Sequence, residues 1–391
     1  MHDLDDRLER FLSGLAEAGR RRRLRAVEPL AAGRVRIGGR EVLNFSSNDY
    51  LGLTRHPLLI ERAREWAARF GAGAGASRLV TGHLEALDAL EGRIAAAKGA
   101  EAALVFASGW QCNASALPAL LDKSVWGAEP TVFADRLNHA SLHMGCQAAG
   151  VRQHRFRHND LDHLEELLDK HPASGPCLIV TESVFSMDGD MPDVARLAHI
   201  AQRWDALLYL DEAHATGVLG PSGFGLSVGC HVDVAMGTFS KAMGSFGGYI
   251  AGSRALKEFL VNRASGAIYA TALPPAVLGA IDAAVELVPS LDGERARLAA
   301  MANQLRAALN AEGLDTGGSV TQIVPVILGA EERTLAVARA LEERGFLGIA
   351  IRPPTVPAGT SRIRFALSAA HSDEDVGRLG EAVIEVTRSL A

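Results

Sequence analysis

Apolar positions along this chain alternate between two rhythms. From Pro57 onward, stretches with apolar residues three and four apart, the period of a helix face, are separated by short unbroken apolar runs at residues 103–107, 131–134, 177–181, 207–210, 232–236 and 248–251. Runs of this length, bounded by Gly, Ser and Asp, read as buried strands of a mainly parallel sheet with helices on both faces. The pattern predicts an α/β fold whose large domain spans residues 49–280. Ahead of it, residues 1–48 form a helix and an arm. Leu4, Leu8, Phe11, Leu12 and Leu15 share one face of the helix, and residues 31–45 alternate like a hairpin turning at Gly38-Gly39. Beyond Pro274-Pro275, a long Ala- and Leu-rich helical stretch, an apolar run at 323–327, a further helical pattern and a run at 363–367 predict a smaller α+β domain over residues 281–391.

Composition narrows the classes. With 391 residues, 48% of them hydrophobic, the chain can bury a large core in two linked domains. A formal net charge of -6 offers no general attraction to nucleic acid or anionic lipid. The one basic run, Arg20 to Arg23 with Arg25, reads as a solvated face at a helix end. Cys112, Cys146, Cys177 and Cys230 stand more than thirty residues apart and form no CxxC pair, which suits a reduced, cytoplasmic chain. The acidic start, with Asp3, Asp5, Asp6 and Glu9, contradicts a signal peptide, and no apolar stretch is long enough to span a membrane.

In open α/β sheets ligands gather at the carboxyl ends of strands, so the polar residues just after each apolar run carry the candidate chemistry. Four runs end this way: at Ser108-Gly-Trp-Gln-Cys-Asn113, at Thr181-Glu-Ser-Val-Phe-Ser186, at Asp211-Glu-Ala-His214 and at Gly237-Thr-Phe-Ser-Lys241. A lysine at a buried strand end is costly to leave charged, and desolvation brings its pKa toward the range where a neutral amine forms a Schiff base. Lys241 is therefore a candidate nucleophile; taken alone it reads rather as a snorkelling or surface lysine, and it is the convergence of the other strand ends on it that favours catalysis. Asp211, thirty residues upstream, can pair with a protonated pyridine nitrogen, the partner expected for pyridoxal 5'-phosphate. His214 can reach the same cofactor's phenolic oxygen, or simply open a helix. The turn at Ser108, Gly109 and Trp110 can start a helix whose N–H groups hold a phosphate, with the Thr238 hydroxyl as a second donor.

Two lookalikes are set aside. Gly71-Ala-Gly-Ala-Gly-Ala follows a helical pattern, and Ala76 occupies the place of the third glycine of a dinucleotide fingerprint, so it reads as a loop. His139 and His143 have the spacing of a zinc pair, but no glutamate follows His139 and no third ligand is evident, so no metal is expected. Glu182 could act as acid or base, and the plainer view is a carboxylate that orients its neighbours.

Taken together, Asn44-Phe-Ser-Ser-Asn-Asp-Tyr-Leu-Gly-Leu, Ser77-Arg-Leu-Val-Thr-Gly, Asp135-Arg-Leu-Asn-His139, Ser186-Met-Asp-Gly-Asp, Asp211-Glu-Ala-His-Ala-Thr-Gly and Thr238-Phe-Ser-Lys241 resemble the α-oxoamine synthases over nearly the whole chain. The resemblance implies the aminotransferase-like fold type I and pyridoxal phosphate bound to Lys241. It implies Asp211 on the pyridine nitrogen, His214 on the phenolic oxygen and His139 stacked on the ring, with Ser186 and Thr238 completing the cradle. It further implies Arg364 and Asn48 around an amino-acid carboxylate, Arg22 and Thr355 on an acyl substrate, and a homodimer in which Thr271 reaches the partner's phosphate. Within the family, Tyr269-Ala-Thr-Ala-Leu-Pro-Pro and Ile351-Arg-Pro-Pro-Thr-Val-Pro-Ala-Gly-Thr are most similar to members that condense L-alanine with pimeloyl-CoA or pimeloyl-ACP in biotin synthesis. Glycine C-acetyltransferase and 5-aminolevulinate synthase share the chemistry and remain alternatives. A catalytically silent partner subunit is a reading of another class, opposed by the presence of Lys241, Asp211 and His214.

Overall fold

A computed structural model describes residues 3–17, 19–172 and 175–390 of the chain. Its centre is a seven-stranded sheet: β1 (Ala102–Phe106), β2 (Thr131–Asp135), β3 (Gln153–Phe156), β4 (Cys177–Glu182), β5 (Ala206–Asp211), β6 (Val234–Thr238) and β7 (Gly248–Gly252), in the order β1-β7-β6-β5-β4-β2-β3. The six apolar runs become six of these strands. Strands β3, β2, β4, β5 and β6 run parallel, and β7 lies antiparallel to both β6 and β1. Direction is not encoded in an apolar run, so the reversal of β7 is absent from the sequence pattern.

Alternate residues of the strands point to opposite faces, which divides the core into layers. Leu104, Val132, Leu178, Tyr209 and Met236 pack on one face with Leu117 and Leu120 of the helix Gly109–Leu120 and Leu142 of the helix Ala140–Ala148. Phe133, Ile179, Leu208 and Leu210 face the other side against the helices Leu161–Lys170 and Val194–Arg203. Burying each such side chain contributes about 1.5–3 kcal/mol before conformational entropy is counted.

Three details depart from the pattern read above. Strand β6 starts at Val234 rather than at residue 232, because the Asp233 carboxylate turns back to accept the Leu208 N–H at 2.8 Å. Strand β3, Gln-His-Arg-Phe, is a short edge strand without an apolar run. The long helical stretch after Pro274 is two helices, Pro275–Leu287 and Asp292–Ala311, separated by a turn at Val288-Pro289-Ser290 where proline interrupts the helical hydrogen bonds.

The arm forms the expected hairpin, Arg34–Ile37 with Arg40–Asn44, and a two-residue strand, Phe346–Leu347, extends it in parallel. Near the C-terminus, β8 (Ile323–Gly329), β9 (Ile349–Ile351) and β10 (Ser361–Ala366) make an antiparallel sheet in the order β8-β10-β9. All four cysteines are free thiols. Among the described residues no helix is long and apolar enough to cross a membrane.

Candidate active site

Because β2, β4, β5 and β6 are parallel and nearly in register, their carboxyl ends open on one side of the sheet. Glu182 and Asp211 are direct cross-strand partners, and Asp211 also pairs with Met236 of β6, which leads to Thr238 and Lys241. Lys241 Nζ lies 2.7 Å from His214 Nε2. Burial outweighs the attraction of Asp211 and Glu182 and brings the Lys241 amine down to about 8. Burial also pushes His214 well below the usual histidine range, an effect that the charge of Lys241 reinforces.

Asp211 is held by the helix Gly109–Leu120 and by the turn after its own strand. Its Oδ2 accepts from Asn113 Nδ2 at 2.8 Å and its Oδ1 from the Ala213 N–H at 2.9 Å. Asn113 accepts from the Tyr209 hydroxyl at 2.7 Å and donates to Ser141 Oγ at 2.9 Å, while Ser141 Oγ is 2.7 Å from His139 Nδ1. The carboxylate and the His139 ring are thus fixed by one buried network. Glu182 makes an orienting contact, accepting the His139 N–H at 2.5 Å, and burial raises its carboxyl well above the carboxylate range. Burial also lowers His139.

Ser108 caps the helix Gly109–Leu120, its hydroxyl accepting the Gln111 N–H at 3.1 Å. That leaves the first N–H groups, of Gly109 and Trp110, pointing out of the helix end. A Cβ on Gly109 would lie 3.5 Å from that of Thr238, so the helix start and the end of β6 adjoin. The Thr238 hydroxyl donates to the Gly247 carbonyl at 2.7 Å and is 2.8 Å from Ser240 Oγ. Trp110 stands edge-on to His139 with ring centroids 5.8 Å apart.

Beyond His214 lies a cationic corner. Arg364 Nη2 donates to Asn48 Oδ1 at 3.0 Å and to the Tyr50 hydroxyl at 3.1 Å, and Arg364 Nε donates to the Ser186 carbonyl. The same Tyr50 oxygen lies 2.6 Å from His214 Nδ1, so Tyr50 joins the arginine to the histidine beside Lys241. Gln322 donates to the His214 carbonyl at 2.9 Å.

Most of the residues singled out from the sequence meet here: Lys241, Asp211, His214, His139, Ser108, Gly109, Trp110, Thr238, Ser186, Asn48 and Arg364. Arg22 and Thr355 meet each other, 3.5 Å apart, in a groove between the segment Arg20 to Arg25 and the turn at Pro353-Pro354. Thr271 is exposed and bridges to Ser77. Tyr50 and Asn113, which join the parts of the site, were not singled out, although both lie inside the motifs Asn44 to Leu53 and Ser108 to Asn113. His143 turns away to Gln153 Oε1 at 2.6 Å, and no metal-holding group of three or more His, Cys, Asp or Glu is found among the described residues.

This donor set fits pyridoxal phosphate: a buried amine for the aldehyde, a carboxylate for the ring nitrogen, an imidazole beside it and a capped helix start for the phosphate. Fold and site define a pyridoxal-phosphate-dependent enzyme of fold type I. Residues 40–383 match the family of aminotransferases of class I and II. The chain is 66% identical over 390 residues to a putative 8-amino-7-oxononanoate synthase of Paramagnetospirillum magneticum, covering 100% of both. It is 60% identical over 385 residues to the 8-amino-7-oxononanoate synthase of Gluconacetobacter diazotrophicus, covering 97% of each. A solved structure of SPT with PLP internal aldimine superposes with a TM-score of 0.90 at 26% identity, over 100% of this chain and 99% of that one. The chain belongs to the class I and II aminotransferase family and, within it, to the family of 8-amino-7-oxononanoate synthases.

Proposed function

We propose that the protein catalyses the decarboxylative condensation of L-alanine with pimeloyl-CoA or pimeloyl-ACP, giving 8-amino-7-oxononanoate, carbon dioxide and the free thiol carrier. The observation that carries this reading is the meeting of a half-buried amine, Lys241, which feels the charges of both Asp211 and Arg364, with the Arg364–Asn48–Tyr50 corner that Tyr50 joins to His214 beside it. That corner suits an α-amino-acid carboxylate, which a guanidinium binds with charge-assisted hydrogen bonds. When bound, the cofactor supplies the aldehyde that Lys241 captures and the electron sink for charge developing at the amino-acid Cα.

The remaining work falls to the chain. Lys241 Nζ, whose lowered pKa leaves much of it neutral near pH 8, takes the Cα proton as general base. His214, neutral in its buried setting, stands 2.7 Å away and keeps the amine aimed. Asp211, fixed by Asn113 and the Ala213 N–H, would pair with the cofactor's ring nitrogen and favour its protonated form. Arg364 would grip the amino-acid carboxylate and so orient the Cα–H bond for Lys241, and the same grip would orient the carboxylate that departs as carbon dioxide. His139 would pack on the cofactor ring, and Ser108, Gly109, Trp110, Ser186 and Thr238 would hold its phosphate and complete the cradle. Arg22 and Thr355 receive the acyl substrate.

We infer a cytoplasmic homodimer, each site completed by Thr271 of the second copy. Exposed Trp110 and Tyr269, at 49% and 81%, support a covering partner, since large exposed aromatic side chains favour burial. The test is thiol release from four substrate pairs, alanine or glycine with pimeloyl-CoA or acetyl-CoA. Release with alanine and pimeloyl-CoA is expected; release with glycine and acetyl-CoA alone assigns the sister reaction.

A further inference from the structure

His158 lies in the turn after the edge strand β3, with its side chain 13% exposed, and the chemistry described above does not use it. Its Nδ1 is 3.0 Å from Oδ1 of Asp135 and 3.2 Å from Oδ2, and its Nε2 is 2.9 Å from Oδ2 of Asp190. An ionised carboxylate only accepts, and a neutral imidazole has one N–H, so both contacts are hydrogen bonds only when both ring nitrogens carry protons. The ring is therefore an imidazolium between two carboxylates, edge-on to Phe185 at 4.4 Å. Burial disfavours that charge, and the two carboxylates outweigh burial, raising His158 to about 10.

The two carboxylates belong to the loops that follow the adjacent parallel strands β2 and β4. Asp135 ends β2, and its Oδ1 also accepts the Leu137 N–H at 2.8 Å, which shapes the segment leading to His139. Asp190 closes the loop after β4. Its backbone carbonyl accepts the Phe185 N–H at 3.1 Å, and the Gly189 N–H returns to the Phe185 carbonyl at 2.8 Å. This loop carries Ser186, whose carbonyl anchors Arg364. Asn159 repeats the bridge, its N–H on Asp135 Oδ2 at 2.8 Å and its Nδ2 on Asp190 Oδ2 at 2.9 Å. Asn159 takes a φ of 53°, which its short polar side chain tolerates and which lets two consecutive residues address both loops.

We propose that His158 is a positioning residue that fixes the loop of His139 relative to the loop anchoring Arg364, and thereby the cofactor face relative to the amino-acid carboxylate. The proposal rests on the roles given above to His139 and Arg364. Asn159, Arg362 and Thr321 also tie the Ser186–Asp190 loop, so loss of the charged link leaves it attached but loosens the end that meets Asp135, and with it the Arg364 anchor. The Arg22–Thr355 groove is built from other segments and is untouched.

The test compares holoenzyme with the variants His158→Gln and Asp190→Asn, each of which keeps a neutral hydrogen-bonding group and removes one charge. Alanine binding is read by titrating the visible spectrum, cofactor seating by the visible circular dichroism, and acyl binding by the KM for pimeloyl-CoA. The expected result is alanine binding weakened about tenfold in both variants, as for loss of one charge-assisted bond, a changed dichroic band and a pimeloyl-CoA KM within about twofold. Alanine binding unchanged in either folded variant, or alanine and pimeloyl-CoA weakened by the same factor, overturns the proposal. The wild-type titration judges the substrate reading separately: a response to glycine instead of alanine corrects that reading, and the same comparison of variants is then read with glycine.

Discussion

Nζ of Lys241 and Nε2 of His214 stand 2.7 Å apart, and the far nitrogen of the same ring stands 2.6 Å from the hydroxyl of Tyr50. The histidine thus relays position between the amine and the Arg364 corner, because Tyr50 also accepts from Arg364. Two cationic groups on either side of it, together with burial, keep it neutral. A neutral imidazole can meet an amine without charge repulsion, which a second ammonium or an imidazolium would bring.

Removing the Tyr50 hydroxyl leaves His214 Nδ1 buried without its partner. Tyr50→Phe should lower stability by about 1–3 kcal/mol and weaken amino-acid binding while the cofactor band persists. Thermal unfolding together with an alanine titration checks both parts. A variant with unchanged alanine affinity would remove Tyr50 from the site.

Asn113 is the joint between Asp211, Ser141 and the Tyr209 hydroxyl. Asn113→Ala strands a buried tyrosine hydroxyl and frees one carboxylate oxygen, so cofactor affinity should fall roughly tenfold or more, about 1.4 kcal/mol per decade. Equilibrium dialysis of pyridoxal phosphate against wild type and variant measures it.

These two residues also mark where sequence reading stops. The Ser108 cap, the six apolar runs and the arm hairpin were legible because each is local: a capping side chain, a burial rhythm, a glycine turn. Lys241, Asp211 and His214 were legible because strand ends collect ligands. Tyr50 meets His214 across 164 positions, and Arg364 meets Asn48 across 316, contacts that no spacing announces. Strand β3 was hidden by its polar residues, and the reversed β7 by the symmetry of an apolar run.

The charge on His158 links stability to pH. Its folded pKa of about 10 lies above the ordinary value of 6.5, with Asp135 and Asp190 the carboxylates facing it. A raised pKa favours the folded state fully below pH 6.5, and that contribution declines as pH rises toward 10 and is gone above it. Urea denaturation of cofactor-free protein at pH 7 and pH 9.5 should therefore show a loss that His158→Gln shows to a lesser degree. Equal losses in the two proteins would assign the effect to other groups.

Lys241 gives a second pH signature. Only the neutral amine attacks an aldehyde, so the rate at which cofactor-free protein captures pyridoxal phosphate should rise about tenfold per pH unit below about 8 and level off above it. Stopped-flow absorbance follows the capture; a plateau reached only near 10.5 would show that burial does not lower this lysine.

Whether Lys241 carries the cofactor on which the condensation depends is decided by the visible spectrum of purified protein with pyridoxal phosphate, recorded beside Lys241→Ala. An absorption band from lysine-bound cofactor is expected in the wild type and not in the variant, with thiol release from alanine and pimeloyl-CoA lost alongside it. The same band in both proteins, or in neither, would contradict that role for Lys241.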